Sequence, residues 1–269
     1  MSATDNRVVN MKYPKIDVQS HYSKEYLRDW TISESDKYAP RESRAVNAIL
    51  LPIAKRETTS SMVVEALRQI ENFQDYKRIL AVGCCTANIN SGIYFLKDRY
   101  YSNDLVSIDA SIDDTIIQKL EKLDIVTCTD AAYLLESSEL SYNLPLIAQM
   151  TQEKLPIIPI IYHNADESDL NKIFEVFSQD DTLILICSDL SHSLSDAEIK
   201  SLDSVTISKI IALDNTVTNN QCTAYTAVNC LIHLSDIHFW RPRLLRYQST
   251  GFECHVINTS GFATVIFYE

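Results

Sequence analysis

Asp189, His192 and Cys222 carry side chains suited to acid–base, nucleophilic or metal chemistry, and they stand where such chemistry is usually placed. Asp189 and His192 follow the apolar run TLILIC (182–187), beyond the carboxyl end of what reads as a buried strand, where open α/β sheets bind ligands. A histidine beside a carboxylate can be a general base, a metal ligand with its orienting acid, or a structural hydrogen-bonded pair. Cys222 opens an apolar segment of helical period, and a helix N-terminus favours thiolate. With His192 and Asp189 it would form a nucleophilic Cys-His-Asp set; as a small buried residue it would only pack. The adjacent Cys84 and Cys85 end a second strand and lack metal-ligand spacing, so packing is expected of them. His163 is expected as an exposed loop histidine beside Asn164 and Asp166, and His233 as a partner for the carbonyls at a helix end. The segment 237–243 (IHFWRPR) joins aromatics to arginines and reads either as a subunit or peptide contact or as a packed loop.

The elements that must position these residues alternate between apolar runs and helical periods. Strands are expected at 45–53 (AVNAILLPI), 78–83 (RILAVG), 105–108, 156–162 (PIIPIIY) and 182–187. The prolines make 156–162 a marginal strand. Helices are expected at 58–73, 113–123, 166–178, 196–213 and 223–234, with shorter helical pieces at 131–135 and 144–150. In 166–178, Leu170, Ile173, Phe174 and Phe177 should face inward. A closing hairpin is expected from 249–259 and 262–268, with 258–261 as its turn, and 241–246 as a solvated loop. This alternation predicts one α/β domain, three layers around a mostly parallel or mixed sheet. The domain should span 21–269 behind a mobile segment, 1–20.

Composition closes several function classes. The four glycines, Gly83, Gly92, Gly251 and Gly261, cannot build a GxGxxG or GxxxxGK[ST] phosphate loop. A net charge of −12 repels phosphate backbones, which argues against nucleic acid as a partner. The apolar runs are too short to span a bilayer, and the N-terminus lacks the pattern of a signal peptide. Seven scattered cysteines without a CxxC pair suit reduced thiols in the cytoplasm better than a disulfide framework or a zinc ribbon.

Several segments, in order, resemble the Memo family. RILAVGCCTANI (78–89) is similar to the family's strand ending in Gly-Pro-Ser-His-His. ESSELSYNLP (136–145), followed by LPIIPIIY (155–162), resembles its Glu-His-Ser-x-Glu-x-x-Leu-Pro helix start. ILICSDLSH (184–192) is similar to its strand ending in Ser-Ser-Asp-x-x-His, NQCTAYTAVNCLIHL (220–234) to its Cys-Gly helix, and SGFATVIF (260–267) to its last strand. The resemblance covers roughly 40–269 and implies a fold like that of the class III extradiol dioxygenases. It also implies a pocket with two histidines and a cysteine that holds a metal such as iron, copper or zinc. In prokaryotes, such proteins (AmmeMemoRadiSam system protein B) accompany a radical-SAM protein and an AMMECR-type protein.

Carried over residue by residue, the pattern is incomplete. The family's first ligand histidine falls on Ile53 and its second on Thr86-Ala87, beside Cys85. The pocket Glu-His and Glu of the middle motif fall on Ser137, Ser138 and Ser141. Asp189, His192 and Cys222 remain, with Thr223 in place of the family glycine. Isoleucine and alanine cannot donate to a metal. The resemblance therefore implies a degenerate metal site with no cofactor, in a protein that binds a protein partner or a small ligand without catalysis. The alternative is a metal-dependent oxidoreductase or a thiol-dependent enzyme using Cys222, His192 and Asp189. Either way, Asp189, His192 and Cys222 are expected to converge near Ile53 and Ala87.

Overall fold

The computed structural model describes residues 24–38, 45–55, 57–85, 89–96, 100–102, 107–109, 114–129, 138–152, 155–178, 181–250 and 259–269. The expected segment 1–20, the helical piece 131–135, and Thr86, Ala87, Ser137 and Cys254 lie outside these residues.

The chain order is α1 (Lys24–Ser35), β1 (Val46–Leu51), α2 (Glu57–Leu67), β2 (Arg78–Cys84), β3 (Gly92–Leu96), β4 (Tyr100–Ser102), β5 (Ser107–Asp109), α3 (Asp114–Lys122) and β6 (Val126–Thr129). It continues with α4 (Leu140–Met150), β7 (Ile157–His163), α5 (Glu167–Ser178), β8 (Thr182–Cys187), β9 (His192–Leu194), α6 (Asp196–Ile211), α7 (Tyr225–Ile237), β10 (Arg241–Ser249) and β11 (Thr259–Tyr268). The main sheet runs β10-β11-β1-β8-β2-β7-β3-β6, with β9 pairing the start of β11 and a separate β4–β5 ribbon. Strands β1, β8, β2 and β7 are mutually parallel, and β11 and β3 flank them antiparallel.

The parallel strands read as unbroken apolar runs because both of their faces are covered. Alternate residues serve alternate cores. On one face Leu50, Leu80, Val82, Ile160, Ile184 and Ile186 meet Phe174 and Phe177 of α5 and Val228 and Leu231 of α7. On the other, Ile49, Leu51, Ile79, Leu183 and Leu185 meet Val63 and Leu67 of α2 and Leu144 and Ile147 of α4. As expected, Leu170, Ile173, Phe174 and Phe177 are buried.

Several expectations change. The expected 156–162 is an inner strand, Ile157–His163, buried from Ile157 to Tyr162, not a marginal one. Pro159 is tolerated there because the β3 ladder ends at the Phe95–Ile160 pair, one residue short of it. The hairpin partner of β11 is 241–249, not 249–259, so the segment expected as a solvated loop is an edge strand. Arg246 leans from this strand onto α2, 3.5 Å from the Glu65 carboxylate. Finally, α4 begins at Leu140, a turn before Pro145, and α1, β3, β4, β6 and β9 have no counterpart among the expected elements.

Candidate functional site

The carboxyl ends of β1, β2, β7 and β8 converge with the start of α4 and the loop before α7. Gly83 makes this possible: a Cβ there would stand 2.7 Å from Leu140 Cγ, so only glycine lets α4 start against the end of β2. Backbone bonds then fasten the corner. The Glu139 N–H donates to the Cys84 carbonyl at 3.3 Å, and Cys85 bridges Ser138. The Cys85 N–H donates to the Tyr162 carbonyl at 2.8 Å, and His163 Nδ1 contacts the Cys85 carbonyl at 2.8 Å.

Asn143, fully buried on α4, ties down the loop after β1. Its Oδ1 accepts the Ala54 N–H and its Nδ2 donates to the Pro52 carbonyl, both at 2.9 Å. From the loop after β8, Asp189 Oδ1 accepts the Ile53 N–H at 2.9 Å. The Ile53 side chain itself is apolar and buried. Ser188 is the hub of the neighbouring cluster. Its hydroxyl accepts the Ala224 N–H at 2.9 Å and lies 3.0 Å from Cys222 Sγ and 2.9 Å from Thr223 Oγ1. The Thr223 hydroxyl also reaches Glu139 Oε2 at 3.3 Å.

Electrostatics divide the site. Burial pushes the Cys222 thiol up to about 12, against the smaller opposing effect of its contact with Ser188. Cys222 lies just ahead of α7, which starts at Tyr225 rather than at the expected 223. Burial also pushes Cys84 up to about 12. Glu139 is pushed up to about 8, first by burial and then by the neighbouring Asp189 charge, with Lys55 and Thr223 opposing. The Lys55 Nζ stands 5.2 Å from the centre of the Tyr142 ring.

The sequence-based candidates separate. Asp189, Cys222, Ile53, Cys85, Ser138 and Ser141 all belong to this corner. His192 does not share the cysteine's contacts: it is exposed on β9, paired with Ser260, while Cys222 is bonded to Ser188. Among the described residues, no three His, Cys, Asp or Glu side chains gather in a way that could hold a metal ion. Glu139, Asn143, Ser188 and Lys55 were not singled out from sequence. Glu139 could have been found, since it falls inside the middle motif at the position of the family's serine.

This architecture matches a solved structure, that of an uncharacterized protein, JW3007, from Escherichia coli K12, with a TM-score of 0.56 at 9% identity. The match covers 82% of this chain and 99% of that one, and at this identity it speaks for the fold alone. No curated protein matches the chain. The model of the Memo-like protein family matches residues 20–249, which include every strand end and helix start of the corner just described. The ordered motifs, the dioxygenase-like sheet and this match agree: the chain belongs to the Memo-like family.

Proposed function

We propose that this protein is a divergent Memo-family member whose cleft works without the family's metal and binds a small ligand or a protein partner rather than catalysing a reaction. The observation that carries the reading is the fate of position 53. An apolar side chain stands where the family has a ligand histidine, and Asp189 holds its backbone N–H at 2.9 Å. A carboxylate committed to a backbone donor and a buried thiol bonded to a serine do not make a preorganised donor set. The residues in hand therefore do not fit the family's metal. A radical-SAM or AMMECR-type partner remains part of the proposal by family resemblance alone.

The thiol-dependent alternative gains no support from the geometry. A thiol pushed up to about 12 holds negligible thiolate at neutral pH, and His192 is not its hydrogen-bond partner. The reading is tested by titrating chelator-treated protein with iron(II), copper and zinc while following thermal unfolding. Unchanged unfolding temperatures are expected, because a ligand that binds only the folded state must raise them. A saturable rise at one equivalent of any of these ions would count against the proposal.

A further inference from the structure

Helix α7 ends in a turn that carries an exposed aromatic side chain at a strained position. The His238 N–H donates to the Leu234 carbonyl at 3.0 Å, the Phe239 N–H to Asp236 at 3.3 Å and the Trp240 N–H to Ser235 at 2.8 Å. Such a set of bonds closes a helix through one residue in the left-handed conformation, a place that glycine favours. Phe239 occupies it, with φ 59°. A bulky side chain is disfavoured there. Elsewhere in this glycine-poor chain packing offsets the strain: Leu213, φ 57°, follows α6 and packs against the core. Phe239 has no such compensation. It is 85% exposed, and it is Trp240, at 6%, that packs beneath the turn. Ile237 beside it is 50% exposed. The fold thus holds a phenyl ring and an isoleucine out in solvent at a cost to itself.

We infer that this turn and the strand it leads into, β10, form a docking surface for an acidic, extended segment of a partner protein. The surface is independent of the cleft, since it lies at the opposite end of α7 from the contact between Ala224 and Ser188. Charge complementarity chooses the partner's sign. Between Asp236 and Glu253 the sequence has Arg241, Arg243 and Arg246 and no acidic residue, in a chain of net charge −12. Arg246 is engaged by Glu65 at 3.5 Å, whereas Arg241 is exposed, two residues from the Phe239 ring. The position of β10 chooses the partner's shape. It ends the sheet among the described residues, and a strand at a sheet edge can receive another strand through backbone hydrogen bonds. Arg241 and the half-exposed Leu244 point to opposite sides of it. A segment that alternates acidic and apolar side chains matches that pattern, with one apolar residue set against Phe239 and Ile237. An anionic bilayer fits less well, because the rest of the chain repels it.

The test pans a phage library of short random peptides against the full chain, then measures the recovered peptides by fluorescence polarisation. Those peptides should be rich in Asp and Glu, with apolar residues between them, and their versions with Lys in place of the acids should not bind. Phe239→Gly should weaken binding about ten-fold or more and at the same time raise the Tm by about 2–4 °C, because glycine accepts the left-handed turn. A Phe239 that served only the fold would move the Tm the other way. Arg241→Glu, at an exposed position, should weaken binding by about ten-fold. Recovery of no binding peptide, of peptides without acidic residues, or of peptides whose affinity is unchanged in either variant would overturn the inference. So would self-association of the chain, or binding to phosphatidylserine vesicles, that Phe239→Gly abolishes: the first would make a second copy the occupant, and the second a membrane.

Discussion

Glu139 shows how one buried side chain links the cleft to the stability of the whole chain. Its carboxyl ordinarily titrates near 4.5 and is pushed up to about 8 in the folded protein, first by burial and then by Asp189. The folded state therefore holds a proton that the unfolded chain releases. The stability contributed by this difference is fully present below about 4.5 and declines as pH rises through about 8. Glu139→Gln keeps the shape and removes the titration. In urea unfolding compared between pH 5 and pH 9, wild type should lose on the order of a few kcal/mol more than Glu139→Gln. Parallel pH profiles would mean that Glu139 is solvated. The same scale decides the fate of Cys222. Buried, bonded to Ser188 and pushed up to about 12, it should resist iodoacetamide at neutral pH until the protein unfolds. Mass-spectrometric mapping that finds Cys222 labelled first, with the labelling lost in His192→Ala, would revive the thiol-enzyme reading.

Among the elements, β11 depends most on a single close approach. A Cβ on Gly261 would fall 1.6 Å from Asp203 Oδ2. Asp203, fully buried on α6, accepts from the Ser191 N–H at 3.1 Å, the Ser191 hydroxyl at 2.6 Å and the Tyr247 hydroxyl at 2.9 Å. Gly261→Ala should thus break the knot joining α6, β10 and β11 and cost about 3 kcal/mol or more in denaturant unfolding. A cost below about 1 kcal/mol would show that the knot relaxes freely. Elements of this kind mark the boundary of what the sequence makes legible. The continuous apolar runs of β1, β2, β7 and β8 and the helical stripe of α5 were readable, because burial on two faces or on one stripe writes itself directly into residue type. The short strands β3, β6 and β9 were not, since three to five residues carry too little periodicity. The edge strand β10 was hidden behind Arg241, Pro242, Arg243 and Arg246, residues typical of edges and of loops alike. In the cleft, Asp189 and Cys222 were legible from their positions after a strand and before a helix. Asn143, Ser188 and Glu139 were not, because their roles arise from contacts between segments distant in sequence.

The chain carries a net charge of −12, and among the described residues no helix is long and apolar enough to cross a membrane. The family fold is built here with a glycine that docks α4 on β2, and Ile53 is buried apolar core. The central proposal is a family member that works without the family's metal, and metal content tests it most directly. Elemental analysis of the full chain, purified without chelator and without added metal, should find iron, copper and zinc each far below one ion per chain. One tightly held ion per chain, retained through dialysis, would contradict the account.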